Sequence, residues 1–391
     1  MKIAQVTPLY EAVPPRLYGG TERVVAHLTD ALVDLGHEVT LFASADARTR
    51  ARLVPVRDQA IRLDPRPLKS DLAAHMTLLS TVRDHVAEFD LIHFHTDMIH
   101  FPFFARHAGR TVTTLHGRLD LTDLAEVYAR WNDFALVSIS DDQRRPMPFA
   151  NWQATVHHGM PADLYEFSPE SQGYLAFLGR ISPEKRPDRA IEIATALGRP
   201  LKIAAKVDAA DTVYWETVIQ PMIADNPLVE FVGEISDQQK SAFLGGAEAL
   251  LFPIDWPEPF GLVMIEAMAC GTPVVAFRCG STPEIIEDAV TGFLVDTLDE
   301  AIAATGRAHR LDRAQIRARF DRRFSATAMA RRYLDVYADM LARRPFAEVM
   351  PEPPLPAARP RLRLAEAIAR RTPVTAHAPD RLPPAPSLGL G

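Results

Sequence analysis

The middle of the chain carries the stretch Leu-Ala-Phe-Leu-Gly-Arg-Ile-Ser-Pro-Glu-Lys at residues 175–185. The apolar residues at its start predict a buried strand. Ser182 and Pro183 suit the N-cap and the first position of a helix, which we expect over about residues 183–197. A short apolar strand followed directly by a helix is the repeating unit of a parallel sheet covered by helices.

The same alternation of strands and helices runs along most of the chain and restarts once. A first run begins with a strand near residue 3 and a helix over about residues 21–35, and a second run begins after about residue 173. Two such runs predict an α/β protein with two parallel-sheet domains, joined near residues 159–173. The expected strands are residues 3–6, 39–42, 90–94, 111–115 and 135–139 in the first run, and 175–178, 201–205, 229–232, 249–252 and 273–276 in the second.

The composition is that of an ordinary globular protein. The chain has 391 residues, of which 47% are hydrophobic and 24% are charged, so it can bury a sizeable core. Its formal net charge of −7 argues against a nucleic-acid partner held by bulk attraction to phosphate. Cys270 and Cys279 are too few for a disulfide framework and lack the spacing of a metal site, which favours a reduced, intracellular setting.

Neither a targeting signal nor a membrane-spanning segment is expected. Residues 2–6, Lys-Ile-Ala-Gln-Val, predict a first strand rather than an apolar leader. The longest apolar stretch, residues 260–277, contains Glu266 and a Gly-Thr-Pro break, which argue against a membrane span. We therefore expect a cytoplasmic protein that is attached at most peripherally to the inner face of a membrane.

The last part of the chain differs in composition. Residues 343–391 hold 11 of the 32 prolines, which favours an extended or disordered tail. Within the tail, residues 361–371 are basic, and Leu364 and Ile368 share one helical face. This stretch could contact a membrane surface or a partner, but a solvated, partly helical tail is the simpler explanation.

Two turns could bind phosphate. Gly19 and Gly20 precede the first helix, where glycines let the backbone approach a ligand and the helix start offers free N–H groups. A plain tight turn is the alternative there, because the dinucleotide-binding pattern Gly-x-Gly-x-x-Gly is missing. Arg180 precedes the expected helix start at residue 183, and Lys185 and Arg186 fall in its first turn, where cations are unfavourable unless an anion offsets them. They predict a diphosphate clamp, with a solvated turn neutralised in part by Glu184 as the alternative.

Two glutamates lie close together in the second run. Glu258 precedes a helix that we expect from about Gly261, and Glu266 lies about one and a half turns into that helix. The neighbours of Glu266 are nearly all apolar, so its carboxylate is expected in the core or in a cleft and needs strong partners. Ligand hydroxyls would serve, since one carboxylate can hold both hydroxyls of a diol. A buried salt bridge to a core arginine is the alternative for either glutamate.

The first run contains a cluster of histidines. His93, His95, His100, His107 and His116 all fall within 24 residues, and the first two lie on one side of an expected strand. Metal-dependent hydrolases use such a His-x-His pair, so a metal site has to be considered. No His-x-x-x-His or Asp-x-Asp pattern completes it in the sequence, and histidines that pack in the core or line a cleft are the alternative.

The stretches at residues 179–185 and 258–273, in this order and spacing, resemble the motifs of the retaining glycosyltransferases of family four. The resemblance covers about residues 1–342, and its most specific part is the pair Glu258 and Glu266 with Pro-Phe-Gly and a later Gly-Thr-Pro. It implies the GT-B architecture, in which two Rossmann-like domains face each other across a cleft. The implied parts are residues 1–165 as the acceptor-side domain, 166–325 as the nucleotide-sugar-binding domain, 326–342 as a helix that crosses back to the first domain, and 343–391 as a tail.

The resemblance also implies roles for individual residues. Arg180 and Lys185 would hold the diphosphate of the donor, and Gly20 would let the diphosphate approach from the first domain. His116 would lie near the anomeric region of the donor sugar. The turn at residues 280–284 would lie near the cleft.

The two glutamates take separate roles in this resemblance. Glu266 would bind the ribose hydroxyls. Glu258 would bind the hydroxyls of the transferred sugar, together with the backbone N–H groups of Phe260, Gly261 and Leu262. The candidate catalytic residues are His116, Arg180, Lys185 and Glu258.

The implied activity is metal-independent sugar transfer from a nucleoside diphosphate sugar to an acceptor, with retention of the anomeric configuration. UDP-glucose is the first choice of donor, while GDP-mannose and N-acetylglucosamine donors stay open, and neither the acceptor nor the oligomeric state can be inferred. No metal and no cofactor beyond the donor substrate are expected. The alternatives are a metal-dependent hydrolase that uses His93 and His95, a non-catalytic sugar-nucleotide-binding protein, and, among enzymes, a phosphorylase or an epimerase.

Overall fold

The computed structural model describes residues 1–16 and 19–343, which form one compact unit. Two parallel sheets with helices packed against them make up this unit, so the expected α/β architecture is confirmed. The expected tail and the basic stretch at residues 361–371 lie, apart from Arg343, outside the described residues.

The first sheet comes from the first run of strands. Its strands are β1 (Lys2–Val6), β2 (Glu38–Ser44), β3 (Arg52–Arg57), β4 (Leu91–Phe94), β5 (Thr111–Thr114), β6 (Ala135–Ser138) and β7 (Trp152–Thr155). Within the described ranges they form a seven-stranded sheet in the order β3-β2-β1-β4-β5-β6-β7, and all neighbours are parallel. Strands β4, β5 and β6 are buried along their whole length, as expected when a parallel sheet is covered on both faces.

The second sheet comes from the second run. Its strands are β8 (Tyr174–Arg180), β9 (Leu201–Lys206), β10 (Val229–Gly233), β11 (Ala247–Phe252), β12 (Val274–Phe277) and β13 (Gly292–Val295). They form a parallel sheet in the order β10-β9-β8-β11-β12-β13. The chain order reverses between β8 and β11, and in doubly wound sheets ligands bind outside the carboxyl ends of the strands at this point.

Helices connect the strands in both halves. Within the described ranges, no helix combines the length and the apolar character that crossing a lipid bilayer requires. The helices are α1 (Gly20–Asp34), α2 (Asp71–Asp84), α3 (Phe101–Phe104), α4 (Leu124–Arg130), α5 (Pro187–Leu197), α6 (Thr212–Tyr214), α7 (Gln220–Ala224), α8 (Asp237–Gly245), α9 (Leu262–Ala269), α10 (Thr282–Ile285), α11 (Leu298–Thr305), α12 (Arg313–Arg323) and α13 (Ala326–Ala342).

Helix α5 begins four residues later than the sequence predicts. We expected Ser182 as its N-cap and Pro183 as its first residue, but the helix starts at Pro187, and Arg186 before it has a left-handed backbone with φ of 52°. A proline inside a helix lacks the N–H for the ladder and collides with the carbonyl four residues earlier, so Pro187 cannot sit in a helix that starts at 183. Residues 182–185 form a turn instead, and the hydroxyl of Ser182 is buried with no hydrogen-bond partner among the described residues.

The expected strands are all present, but three strands at sheet edges were not predicted. Strand β3 contains Pro55 and is half-buried, and β7 is half-buried along its length. Strand β13 is short and begins with Gly292. Edge strands need neither a continuous apolar run nor every ladder hydrogen bond, so they show little of the pattern that reveals central strands.

Helix α13 packs against the first sheet after the second sheet is complete. Its buried face includes Met329, Tyr333 and Tyr337, which join one apolar cluster with Val24 of α1 and Ile3 of β1. The helix begins where the hydroxyl of its N-cap Ser325 accepts the N–H of Ala328, a standard way to satisfy an unpaired helix-start donor.

Glu284 of α10 ties the second half of the chain to the first. Its two carboxylate oxygens accept the backbone N–H groups of Asp141 and Asp142 at 2.7 and 2.8 Å, and one of them lies 3.1 Å from Nε2 of His157. Burial raises the pKa of Glu284, but the hydrogen bonds from His157 and from both backbone groups outweigh burial, and its pKa lies below the usual value. The ionised carboxylate is therefore the form that the folded state favours.

Glu284→Gln is expected to lower the free energy of unfolding by about 1–3 kcal/mol at neutral pH, because its charge-assisted hydrogen bonds from the backbone N–H groups of Asp141 and Asp142 are weakened. Since the folded-state pKa is lowered, this stabilisation is present above about pH 4 and is lost as the pH falls below it. Urea unfolding at a series of pH values measures the difference between the variant and the wild type.

Glu287→Gln is the matched control, because Glu287 forms a half-exposed ion pair with Arg319 and should contribute under about 1 kcal/mol. Equal losses in both variants, or a loss for Glu284→Gln that does not shrink in acid, would contradict the assigned role of Glu284.

Candidate functional site

The sequence-predicted residues of the second half gather at one edge of the second sheet. Arg180 ends β8, Glu258 lies in the loop after β11, and Ser281 lies in the turn after β12. The strand order β8-β11-β12 makes these three carboxyl ends neighbours. The structure therefore brings residues that are far apart in sequence to one place, at the point where parallel sheets bind ligands.

Lys185 and Glu258 form an ion pair across this edge. Only 20% of the Lys185 side chain and 12% of the Glu258 side chain are exposed. Trp256 completes the group, because its indole Nε1 donates to Oε2 of Glu258 at 3.1 Å and its ring lies 4.8 Å from Nζ of Lys185. The carboxylate and the ammonium thus neutralise each other in a partly buried setting, where an unpaired charge would be costly.

Arg180 lies among carboxylates rather than in open solvent. It pairs with Glu184, and its Nε lies 3.4 Å from Oδ2 of Asp211. Asp208 is 3.9 Å away. Neutralisation by Glu184, the alternative that the sequence left open, is therefore part of the arrangement.

The loop that carries Glu258 is held by glycines and by the next turn. Gly261 has φ of 78° and ends the loop, and Gly280 lies so close to Glu258 that a Cβ at Gly280 would collide with the Glu258 backbone. Ser281 donates its backbone N–H to the carbonyl of Glu258 at 3.0 Å and its hydroxyl to the carbonyl of Phe260 at 2.8 Å. The turn at residues 280–284 thus positions the loop.

Glu266 is buried on α9, as its apolar neighbours predict. Its Oε1 accepts from Nζ of Lys240 at 2.8 Å and from the hydroxyl of Tyr165 at 3.3 Å, so its partners are a lysine and a tyrosine and not the core arginine that the sequence left open. Burial, with Glu266 and Asp237 nearby, raises the pKa of Tyr165, which stays a neutral donor.

A second ion pair lies beside Glu266 and joins the two halves of the chain. Arg23 of α1 pairs with Asp237 at the start of α8, and Asp237 also lies 3.3 Å from Nζ of Lys240. Burial lowers the pKa of Arg23, but the carboxylates of Glu266 and Asp237 outweigh burial and raise it. Opposite charges thus line the contact between α1 and the second sheet's helices.

The start of α9 faces the first helix of the chain. A Cβ added at Gly20 would lie 3.7 Å from Cδ1 of Leu262, so the backbone of the first helix start comes close to the first residue of α9. The first backbone N–H groups of a helix have no partner within the helix and can bind an anion or a hydroxyl. Phe260 is buried and Gly261 and Leu262 are partly exposed beside Glu258.

His116 lies in the first half of the chain, two residues after the end of β5. Its ring stacks on that of His158 with 5.2 Å between centroids, and the ring of His158 lies 4.8 Å from that of Phe260. Burial lowers the pKa of His116 to about 3, so the ring is neutral at physiological pH. The ring of His158 therefore lies between His116 and Phe260, which belongs to the loop that carries Glu258.

His93 and His95 do not converge on a common point as metal ligands would. The two nitrogens of His93 lie 2.7 Å from the hydroxyls of Tyr337 and Thr114, and those of His95 lie 2.8 Å from Gln5 and His116. Burial lowers the pKa of both rings well below the usual value. In the part of the chain that the structure describes, no group of three or more His, Cys, Asp or Glu side chains is arranged to hold a metal ion.

Several residues of this site were missed in the sequence. Trp256 stands two positions before Glu258 and could have been found from that spacing. Lys240, Tyr165 and His158 reach the site only through the fold, since each lies far along the chain from the groups that it contacts. The Ser236 and Gln239 capping pair predicts the start of α8, but nothing local indicates that Lys240 meets Glu266.

Two family models match the chain, one for each sheet. The model described as glycosyl transferases group 1 matches residues 166–322, and the model described as glycosyltransferase family 4 matches residues 18–150. A GDP-mannose-dependent alpha-(1-6)-phosphatidylinositol dimannoside mannosyltransferase of Mycobacterium tuberculosis is 29% identical over 345 residues, which cover 78% of this chain and 86% of that protein. A D-inositol 3-phosphate glycosyltransferase of Saccharomonospora viridis is 32% identical over 228 residues, or 53% of this chain. The match spans only 50% of the length of that relative.

Solved structures show the same fold at lower identity. A glycosyltransferase involved in avilamycin A biosynthesis has a TM-score of 0.65 at 23% identity, covering 88% of this chain and 98% of that chain. Sucrose-phosphate synthase from Thermosynechococcus elongatus has a TM-score of 0.71 at 18% identity, covering 88% and 100%. The arrangement of the two sheets is thus a known one.

The ion pair between Lys185 and Glu258 is expected to contribute to the free energy of unfolding. Unfolding of Lys185→Met, of Glu258→Gln and of the double variant should give a coupling energy of about 1–2 kcal/mol, since both groups are partly buried and close. The matched control is Lys202 and Glu230, an exposed pair 3.7 Å apart, for which about 0–0.5 kcal/mol is expected. A coupling no larger than that of the control pair would show that the two groups do not hold each other.

Proposed function

Since the chain belongs to the family 4, group 1 glycosyltransferases and has their GT-B fold, we propose that it transfers a sugar from a nucleoside diphosphate sugar to an acceptor in the cleft between its sheets. The observation that carries this proposal is the placement of two cations, Arg180 and Lys185, together with Glu258 at the carboxyl ends of β8 and β11. Glu266 lies on α9, the helix that follows the Glu258 loop. A nucleotide sugar presents a diphosphate to the cations and two sets of hydroxyls to the carboxylates.

Arg180 and Lys185 would bind the diphosphate. Each is paired with a carboxylate that the donor must displace, Glu184 for Arg180 and Glu258 for Lys185. Charge-assisted bonds from both cations to phosphate oxygens are stronger than neutral hydrogen bonds and can offset that loss. Gly20 and the first N–H groups of α9 would complete the diphosphate site, since a helix start favours anions.

The two glutamates would divide the rest of the donor. Glu266 would hold the ribose hydroxyls, with Lys240 and Tyr165 keeping its carboxylate oriented. Glu258, released from Lys185, would accept hydroxyls of the transferred sugar together with the backbone N–H groups of Phe260, Gly261 and Leu262.

UDP-glucose and GDP-mannose are the two donors that we propose to test first. UDP-glucose is the first choice from the sequence, and GDP-mannose appears in the name of the 29% identical mannosyltransferase. A thermal-shift screen of nucleotide sugars identifies the donor, because a ligand at about 100 times its dissociation constant adds ~2.7 kcal/mol of stability. The acceptor has to be found afterwards with the donor in hand.

The chemistry would need no metal ion and would retain the anomeric configuration. Cleavage of the sugar–phosphate bond places negative charge on the leaving diphosphate, and the cations Arg180 and Lys185 would stabilise it where a metal would otherwise be needed. Preorganised donors of this kind contribute about 3–4 kcal/mol each to the transition state. The leaving phosphate would take the proton of the acceptor hydroxyl, so attack would come from the face that the phosphate leaves.

Glu266→Gln is expected to weaken binding of the nucleoside diphosphate alone by about tenfold or more, because the carboxylate loses charge-assisted bonds to the ribose. Glu258→Gln is the matched variant and should bind the same nucleotide as well as the wild type or better. In this variant the diphosphate does not have to break an ion pair between Lys185 and a carboxylate. Titration calorimetry with UDP and GDP measures both.

The Glu258→Gln variant should instead lose recognition of the sugar. The wild type should bind the nucleotide sugar more tightly than the nucleoside diphosphate alone, and this difference in affinity should disappear in the variant. Equal weakening of nucleotide binding in both variants would show that the division of roles between the glutamates is wrong.

Sugar transfer is expected to continue in the presence of excess chelator and to give a product with the anomeric configuration of the donor. Proton NMR of the product, from a reaction run with chelator, reads both properties in one sample. An inverted product would contradict attack from the leaving-group face. Loss of activity that added divalent ions restore would contradict charge stabilisation by Arg180 and Lys185 alone and would return attention to a metal site.

A further inference from the structure

A chain of hydrogen bonds runs beneath the cleft and ends at His116. Nε2 of His116 lies 2.8 Å from Nδ1 of His95, and Nε2 of His95 lies 2.8 Å from Oε1 of Gln5. Gln5 extends the chain to α13, because its amide Nε2 donates to the hydroxyl of Tyr337 at 3.3 Å. This series of hydrogen bonds thus connects Gln5 of β1 and the residues that follow β4 and β5 to α13, the last helix of the described residues.

The direction of each hydrogen bond in this chain follows from the Gln5 amide. Its nitrogen donates to Tyr337, so its oxygen faces His95 and must accept from the N–H on Nε2 of His95. A neutral imidazole has one N–H, so Nδ1 of His95 is an acceptor and takes the N–H on Nε2 of His116. Nδ1 of His116 therefore keeps a lone pair.

This assignment of one N–H to each ring requires the imidazoles of His95 and His116 to be neutral, and burial keeps them neutral. Burial lowers the pKa of His116 to about 3. Burial and the neighbouring histidines lower the pKa of His95 well below the usual value. At physiological pH each ring thus carries one proton, and its position is decided by the neighbours in the chain.

Nδ1 of His116 lies at the end of this series of hydrogen bonds and lacks a partner among the described residues. This atom is buried. A buried acceptor without a partner is unfavourable by about 1–3 kcal/mol, so a group from outside the protein would be stabilising there. The ring itself is partly exposed and is joined through His158 to Phe260, in the loop proposed to hold the transferred sugar.

We propose that Gln5 and His95 are positioning residues that fix the proton of His116 on Nε2, so that Nδ1 accepts a hydrogen bond from a hydroxyl of the transferred sugar. Tyr337 holds the Gln5 amide in the orientation that this requires. The second half of the inference rests on the proposed function, whereas the position of the proton is a property of the protein by itself.

Helix α13 supplies a matched pair of test residues. Tyr333 and Tyr337 lie one turn apart on its buried face, and both are fully buried. The Tyr333 hydroxyl lies 2.9 Å from Oγ1 of Thr114, whereas the Tyr337 hydroxyl contacts Gln5 directly. Replacement of either tyrosine by phenylalanine removes one buried hydroxyl. Only Tyr337→Phe removes the hydroxyl that accepts the hydrogen bond from Nε2 of Gln5.

The test is ¹⁵N NMR of the full chain labelled at histidine, without added substrate, with the His116 signals assigned by their loss in His116→Gln. In the wild type and in Tyr333→Phe we expect a protonated Nε2 and an unprotonated Nδ1 on His116. In Tyr337→Phe and in Gln5→Met we expect a mixture of the two tautomers, because the Gln5 oxygen is no longer held towards His95 or is removed.

Kinetics provide the second readout. Tyr337→Phe and Gln5→Met should lower kcat for sugar transfer about tenfold and leave the affinity for the nucleoside diphosphate unchanged, while Tyr333→Phe should stay within about twofold of the wild type. A purely structural role would move the unfolding midpoint of both tyrosine variants alike and leave the tautomer of His116 as it is.

A proton on Nδ1 of His116 in the wild-type protein would overturn the inference, and so would an equal effect of the two tyrosine variants on the tautomer and on kcat. The wild-type spectrum decides the matter even when a variant fails to fold. If no nucleotide sugar is accepted as a donor, the proposed function fails while the tautomer measurement stands. If sugar is transferred and the tautomer is the other one, this inference alone fails.

Discussion

The ion pair between Lys185 and Glu258 is the contact on which the arrangement of the candidate donor site depends. It exists because β8 and β11 are neighbours in the second sheet, which places the turn after one strand against the loop after the other. Trp256 then packs against both groups and shields them from water. Each charge needs a partner of opposite charge or a ligand in this partly buried position, since an unpaired charge there would be unfavourable.

The same principle applies to the other charged groups around the cleft. Arg180 is matched by Glu184 and Asp211, and Glu266 is matched by Lys240. A nucleotide sugar would therefore bind by exchange of partners, and its affinity would be the difference between the new bonds and the ion pairs that they replace. Such a site is stable by itself and is selective for a ligand that supplies both a diphosphate and hydroxyls in the right places.

The sequence predicted those parts of the molecule whose signal is local. The central strands were predicted because they are apolar, and Glu258 and Glu266 were chosen as candidate binding residues because their spacing and flanking turn are specific. The predicted start of α5 was wrong because Ser182 and Pro183 form a good helix start considered alone, while Pro187 disfavours a helix that begins before it and suits the first position of α5. The edge strands β3, β7 and β13 were not predicted, because polar residues, Pro55 and Gly292 interrupt the apolar pattern that indicates a strand.

The partners of the site residues depend on the fold and could not be predicted. Lys240 meets Glu266 only when α8 and α9 pack together, and nothing near either residue indicates it. His93 and His95 show the spacing of metal ligands, yet their nitrogens bond to groups that come from α13, β1 and the end of β5. Local spacing limits what a residue can do, and its tertiary neighbours decide among those choices.

A crystal structure of the protein with its nucleoside diphosphate sugar tests the central claim most directly, through the distance between Nζ of Lys185 and the carboxylate of Glu258. We expect the pair to separate, with Nζ about 2.7–2.9 Å from a diphosphate oxygen and the carboxylate of Glu258 bonded to sugar hydroxyls. An intact Lys185–Glu258 pair, with the diphosphate bound elsewhere, would contradict the account.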